Sequence, residues 1–259
     1  MLRKINLVFL NIIFLPISLI IILLRPFVLL RFKELSSELF GGFIAFPEIY
    51  LCEKKEKINL PNKLHFDIFY PHHLGLICNL ALMKMWRRKL LILPSSICYP
   101  IDNQLKFFSK IFNSKNIHDI GDNTSMDRDV HNLFEKHPVN LSFNSQEHLV
   151  GKNFLKEIGI GEIDKFVCIA VRDGNYNEQF YKNSFHDLKL SRHDYRNWDI
   201  QNFVPAINYL LEKNYFVIRV GRNSKNKLNI DHKKFFDYST SEYQNDLLDI
   251  FLGANCQFC

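Results

Sequence analysis

The chain has 259 residues, which is enough for two modest domains or one large one. Hydrophobic residues make up 47% and charged residues 23%, and only 10 residues are glycine, which excludes a disordered or repeat-rich chain. The formal net charge of +6 is spread without a dense basic tract, which argues against a nucleic-acid partner and fits a membrane surface or a phosphorylated substrate equally well. The six cysteines show no disulfide-framework spacing, which indicates a reducing compartment.

The N-terminal segment is almost wholly apolar from residue 5 to residue 24, with Arg3 before it and Arg25 after it. About twenty apolar residues are sufficient for a helix that crosses the hydrocarbon core of a bilayer. Pro16 would kink such a helix near its middle. Three interpretations follow: a membrane-spanning anchor over residues 1–34, a bent helix inserted in the membrane plane, or a buried helix of a soluble domain.

Residues 35–150 are predicted to form an α/β domain. The run 41–55 contains an apolar, strand-like core followed by charged residues. From residue 64 onward, strand and helix patterns alternate, which indicates a mainly parallel sheet covered by helices. Strands are predicted at 65–71, 90–94 and 139–143, and helices at 73–89, 102–113, 126–136 and 145–158.

Residues 151–259 are predicted to form a second α/β domain. Continuous apolar strands are predicted at 166–171 and 215–220, with a helix between them that Asp199 caps. A third strand is predicted to begin at 255–259, where the sequence stops, so we expect this domain to be truncated. Each of the first two strands ends on or next to an arginine.

Those strand ends carry the candidate binding residues. Arg172 and Arg219 lie where the carboxyl ends of parallel strands place anionic ligands, and a guanidinium suits a diphosphate. Asp173 is a candidate general base, while Gly174 allows close approach of a ligand and Gly221 permits a tight turn.

A polar cluster precedes the helix between the two strands. Its side chains suit sugar hydroxyls or phosphate, and they are His193, Asp194, Tyr195, Arg196 and Asn197. Among them His193 is a second candidate base. Trp198 next to them is expected to pack in the core rather than to stack on a ligand.

Other possible chemistry has less support in the sequence. His72 and His73 are expected to form a surface turn, because no third metal ligand is suitably spaced along the chain. No GxGxxG, Walker, HExxH or GxSxG string appears, which argues against common NAD enzymes, P-loop ATPases, zincins and serine hydrolases.

Several of these strings together resemble a bacterial family of glycosyltransferases linked with surface polysaccharide or glycan assembly. The most specific are FVCIAVRDGNY and HDYRNWDI, and the resemblance covers most of residues 35–259. The motif residues carried over are Arg172, Asp173, Tyr176, His193, Asp194, Tyr195, Arg196, Asn197 and Arg219. Two departures are Gly41-Gly42-Phe43, where the family usually has a histidine after the glycine, and the lack of the Ser/Gly-containing loop that follows the family's last strand.

The resemblance implies a GT-B-like fold with two Rossmann-like domains, the C-terminal one holding a nucleotide-sugar donor. It implies transfer of a sugar to a surface glycan or lipid-linked acceptor, at the cytoplasmic face of the inner membrane, with no cofactor and no bound metal. One alternative is a truncated, non-catalytic membrane-associated protein that binds a nucleotide or sugar. Another is a different phosphoester-handling enzyme.

Overall fold

The computed structural model describes two compact units, Met1–Ser142 and Phe143–Cys259. The described residues are 2–121, 128–176, 178 and 194–259, with the side chains of residues 2–12 left out. Within these residues, six strands lie at Leu29–Glu34 (β1), His65–Tyr70 (β2), Leu91–Ile92 (β3), Phe166–Ala170 (β4), Phe216–Val220 (β5) and Phe235–Asp237 (β6). The α-helices lie at Leu2–Leu24 (α1), Phe40–Lys55 (α2), Leu80–Arg87 (α3), Ser95–Ile111 (α4), Leu133–Lys136 (α5), Ser145–Glu157 (α6), Val204–Glu212 (α7) and Asp246–Asn255 (α8).

Each unit is built on a three-stranded parallel sheet, in the orders β1-β2-β3 and β4-β5-β6. The predicted α/β class with mainly parallel sheets is therefore confirmed. In the first sheet β1 and β2 pair in register from Leu29 opposite His65 to Glu34 opposite Tyr70, so both strands end at the same edge.

The second sheet is covered on both faces, because alternate residues of its strands enter two separate apolar cores. Phe166, Cys168 and Ile218 pack with α6 and α8, whereas Val167 and Val217 pack with α7. A strand buried on both faces is the structure that a continuous apolar run predicts. The prediction for β4 and β5 is confirmed to within one residue at each end.

The cap residues of this unit explain where its helices begin and end. Asp199 accepts a hydrogen bond from Gln201 N at 3.0 Å, and a short 3₁₀ turn then leads into α7. Asn214 has a φ of 70°, the left-handed conformation typical of a helix C-terminus. Asn144 and Glu147 form a reciprocal capping box at α6.

Three predicted strands are wrong. Residues 41–55 are helical, within α2, and residues 139–143 form no strand. The third strand of the second sheet is β6, not 255–259, although Gln257 N and Phe258 O form backbone hydrogen bonds with β4 at 2.9 and 3.1 Å. The residues at the end of the chain therefore lie along the free edge of β4 without a regular ladder.

The apolar N-terminal segment forms the helix α1, which contacts α4 and β1. Phe14, Ile21 and Ile22 pack on a core that contains Phe32 and Leu105. Within the described part of the chain, no helix combines the length and apolarity that crossing a bilayer requires.

The packing of α6 against α8 depends on a glycine. A Cβ at Gly151 would collide with the ring of Phe251. We therefore expect Gly151→Ala to destabilise the unit Phe143–Cys259 by about 1–3 kcal/mol, despite the better helix propensity of alanine. The matched control is Gly253→Ala in α8, where a Cβ meets no atom within 4 Å, and this change should stabilise by up to about 1 kcal/mol. Urea unfolding of both variants tests the prediction, and equal stabilities would contradict it.

Candidate functional site

A cavity of about 240 Å³ lies beyond the carboxyl ends of β4 and β5 in the unit Phe143–Cys259. Its wall includes Val171, Asp173, Asn197, Trp198, Asp199, Ile200, Arg219, Lys225 and Asn226. Three of the predicted site residues, Asp173, Asn197 and Arg219, therefore line one cavity. Open parallel α/β sheets bind ligands at this edge, so the cavity is the candidate functional site.

Arg219 is held in place by the protein itself. Its side chain is almost completely buried, and Nη1 donates to Asp237 Oδ2 at 3.0 Å and to Asn226 O at 2.6 Å. The Nε atom is buried and has no hydrogen-bond partner among the described residues. Because Nη1 already donates hydrogen bonds within the protein, this arginine shapes the cavity wall and is a poor candidate for the group that binds an anion.

Asp173 joins the two loops that leave β4 and β5. Its Oδ1 accepts from Asn175 N at 3.1 Å, and its Oδ2 accepts from Lys225 N at 2.6 Å. Both carboxylate oxygens are thus engaged by backbone N–H groups. This arrangement fixes the loop that carries Lys225 against the loop that follows β4.

Gly174 is required by the close approach of Asn197. Its φ is +81°, and a Cβ at this position would lie 2.8 Å from Asn197 Nδ2. Asn197 in turn donates from Nδ2 to Asp194 Oδ1 at 3.1 Å, while its Oδ1 is buried without a partner among the described residues. The sequence predicts that Gly174 makes room for a ligand, whereas the structure places a side chain of the protein there.

Arg172 lies between two residues of the cavity wall, Val171 and Asp173. Its backbone oxygen accepts from Trp198 N at 2.8 Å, which ties the end of β4 to the segment before α7. Its Nε is buried and has no hydrogen-bond partner among the described residues. An unpaired buried N–H of a cation is a costly group unless something binds it.

The other predicted site residues are not part of the cavity wall. Tyr176 is half-buried in a helical turn after Gly174, and Gly221 is exposed at the end of β5. Asp194, Tyr195 and Arg196 form an exposed 3₁₀ turn. His193 lies outside the described residues.

Six residues of the cavity wall are not among the predicted site residues, and two of these six, Trp198 and Lys225, carry groups that suit a ligand. Trp198 is 61% exposed, so the expectation that it packs in the core is wrong. Lys225 has an exposed side chain in the loop after β5. The only sequence signal for Lys225 is its position shortly after a strand end, in a polar loop without periodicity.

A second charged group lies near the same strand ends. Arg222 forms ion pairs with Asp246 and, at 3.2 Å, with Asp249 Oδ2. Burial raises the pKa of Asp249, and Tyr238 donates a hydrogen bond to its Oδ1 at 2.8 Å. Since Arg222 and the two aspartates bind one another, we assign these ion pairs a structural role, which is to stabilise the start of α8.

Among the described residues, side chains with metal-ligand spacing gather only in the other unit, at Glu34, His72 and His73. The cavity wall contains the indole of Trp198, the ammonium group of Lys225 and the amide of Asn197, which suit an aromatic ring and an anion. Comparison of the chain with protein-family models, with curated proteins and with solved structures gave no match.

Proposed function

We propose that the chain is a glycosyltransferase of GT-B-like architecture, in which the unit Phe143–Cys259 binds a nucleotide-sugar donor. The observation that carries the proposal is the cavity at the carboxyl ends of β4 and β5, which combines Trp198 and Lys225 in one wall. An exposed indole suits stacking on a nucleobase, and an ammonium group suits phosphate oxygens. Two units that each contain a parallel sheet are also what a GT-B enzyme requires.

The leaving diphosphate would be held by Lys225 and by Arg172, whose Nε lacks a partner among the described residues. Positive side chains that are fixed before the reaction stabilise developing negative charge without a bound metal. Asp173 is assigned a positioning role, because both of its oxygens already hold the loops together. His193 remains the candidate base, and a surface glycan or lipid-linked molecule remains the proposed acceptor.

Association with the cytoplasmic face of the inner membrane is part of the proposal. Helix α1 exposes a set of large apolar side chains, namely Ile13, Leu15, Ile17, Leu19, Ile20, Leu23 and Leu24, with Phe27 beyond its end. Arg25 follows directly. An apolar helix surface next to a cation suits in-plane insertion at an anionic bilayer surface.

One observation favours the second candidate, a non-catalytic nucleotide- or sugar-binding protein. Each oxygen of Asp173 accepts a hydrogen bond from a backbone N–H group, which favours a role in holding the loops over a role as the general base. The two functions differ in turnover: an enzyme releases the nucleoside diphosphate from its donor in the presence of acceptor, whereas a binding protein retains the donor unchanged.

Nucleoside diphosphates should quench the fluorescence of Trp198 and raise the unfolding temperature of the protein. We expect Arg172→Ala or Lys225→Ala to weaken this binding about 10- to 100-fold, the effect of losing one charge-assisted hydrogen bond. The measurement is a fluorescence titration with uridine, guanosine, cytidine and thymidine diphosphates.

Two controls separate a specific loss from a general one. Lys156→Ala removes an equal charge from the exposed surface of α6 and should leave the affinity unchanged. Trp198→Phe should abolish the quenching, because the only other tryptophan, Trp86, is fully buried in the other unit. If none of the four diphosphates binds, donor binding by this cavity is rejected.

A further inference from the structure

Two histidines and a glutamate meet at one edge of the first sheet. Glu34 is the last residue of β1, and His72 and His73 follow the end of β2, which pairs in register with β1. One possible ligand atom of each side chain lies within 4.8 Å of the other two. The third ligand, which is not close to the two histidines along the chain, therefore comes from the neighbouring strand.

The His73 ring is already aligned with the carboxylate. His73 Nδ1 lies 2.8 Å from Glu34 Oε1, and the backbone N of His73 donates to the same oxygen at 2.6 Å. The ring of Tyr99 stacks on His73 with centroids 4.8 Å apart and an interplanar angle of 20°. The imidazole is thus held in one orientation before any ligand arrives.

The turn that carries both histidines is fixed by Ser37. This buried hydroxyl accepts from His72 N at 2.9 Å and donates to Leu76 O at 2.6 Å. Cys78 N donates to Ser37 O at 2.8 Å, and Gly75 N donates to His72 O at 2.6 Å. A rigid backbone on both sides of His72 and His73 reduces the entropy lost when their side chains bind an ion.

We propose that Glu34, His72 and His73 bind a divalent transition-metal ion, with Zn²⁺ as the best match, and leave a fourth position open. Imidazole nitrogen and carboxylate oxygen are normal zinc ligands, with bonds of about 2.0–2.2 Å, which places tetrahedral ligand atoms about 3.3 Å apart. The ligand atoms now lie within 4.8 Å of one another, and side-chain rotation brings them to that spacing. The contact between His73 Nδ1 and Glu34 Oε1 is then replaced by a bond from each atom to the ion.

The partial exposure of the site supports an open coordination position. The side chains of Glu34 and His73 are 30% and 28% exposed. Two histidines with one glutamate form a three-ligand set, which leaves room for water or an anionic ligand, whereas structural zinc sites have four protein ligands. The site lies in the unit Met1–Ser142 and shares no residue with the cavity at β4 and β5, so either assignment can fail alone.

The test is a Zn²⁺ titration of the full-length chain by calorimetry, in a Cys256→Ser, Cys259→Ser background that removes the two cysteines that are not buried. We expect one ion per chain. Loss of even an outer-shell partner weakens metal binding up to about 100-fold, so His72→Ala, His73→Ala or Glu34→Gln should each cost at least about 100-fold.

The matched control is His137→Ala. His137 Nε2 lies 2.7 Å from Glu56 Oε1, an equivalent histidine–glutamate pair that is not part of a three-ligand group among the described residues. This variant should bind Zn²⁺ as the parent does. If His73→Ala fails to fold, judged by circular dichroism, the His72→Ala and Glu34→Gln titrations decide.

Absence of Zn²⁺ binding by the parent chain overturns the proposal without any ligand variant. Parent-like affinity in the folded His72→Ala and Glu34→Gln variants also overturns it, because the ion then binds elsewhere. The tetrahedral absorption spectrum of bound Co²⁺ in the parent, lost in the ligand variants and retained in His137→Ala, supports it.

Discussion

Replacing Asp237 with asparagine should destabilise the unit Phe143–Cys259 by about 3–5 kcal/mol, the usual cost of leaving one member of a buried ion pair unpaired. The Arg219 and Asp237 side chains are 2% and 5% exposed, and their charged atoms lie 3.0 Å apart. Asp237 Oδ2 also accepts from Leu228 N at 2.8 Å, and its Oδ1 accepts from Ser239 Oγ at 2.6 Å. The substitution therefore leaves a buried guanidinium without a counter-charge and weakens the loop between β5 and β6.

The measurement is urea unfolding of the full chain, followed by hydrogen exchange of the β5 amides so that the two units are distinguished. The double variant Arg219→Met, Asp237→Asn should be more stable than Asp237→Asn alone, because the buried charge has gone. Glu162→Gln is the control: it removes one member of an exposed ion pair with Lys152 and should leave the stability almost unchanged. An Asp237→Asn variant as stable as the parent would show that another group neutralises Arg219.

The same ion pair changes the role expected of Arg219. An arginine at a strand end suits a diphosphate, but the contacts of Nη1 with Asp237 and Asn226 hold the loop that carries Lys225. Arg219 thus shapes the cavity and Lys225 supplies the accessible charge. Variants of Arg219 are consequently poor tests of nucleotide binding, because a substitution there disrupts the loop that carries Lys225 as well as removing a positive charge.

The sequence predicts well those elements whose signals are local. The apolar runs of β4 and β5, the Asp199 cap and the left-handed Asn214 are each set by a few adjacent residues, and each lies where expected. The strand-like interpretation of residues 41–55 is wrong for a physical reason. All five residues from Phe46 to Tyr50 of α2 are buried, so burial surrounds the helix there and its apolar residues show no clear helical period.

The sites escape prediction where they depend on distant contacts. The metal-ligand group needs Glu34 from one strand and His72 from the turn after another, and chain spacing alone does not bring them together. Lys225 and Trp198 lie in loops, whose conformation is set by hydrogen bonds such as that from Lys225 N to Asp173 rather than by periodicity. The strand β6 has three residues, all half-buried, which is too short for an alternating pattern.

Replacing Trp86 with phenylalanine should destabilise the unit Met1–Ser142 by about 2–4 kcal/mol, from a new cavity and an unsatisfied carbonyl. Trp86 is fully buried in α3, and its Nε1 donates to Phe43 O in α2 at 2.8 Å. That carbonyl has no helical partner, because the residue four positions later is Pro47, which lacks an N–H group. The indole therefore compensates for a hydrogen bond that the proline removes.

A double-mutant cycle with Pro47→Ala separates this hydrogen bond from packing. The alanine introduced by that substitution supplies an N–H that can donate to Phe43 O, so Trp86→Phe should cost about 1 kcal/mol less in the Pro47→Ala background than in the parent. Trp198→Phe, an equal change at an exposed side chain, should not alter stability. Urea unfolding with hydrogen exchange of the α2 amides gives all the values. An equal cost of Trp86→Phe in both backgrounds would show that the ring contributes only by packing, and that another donor satisfies the carbonyl of Phe43.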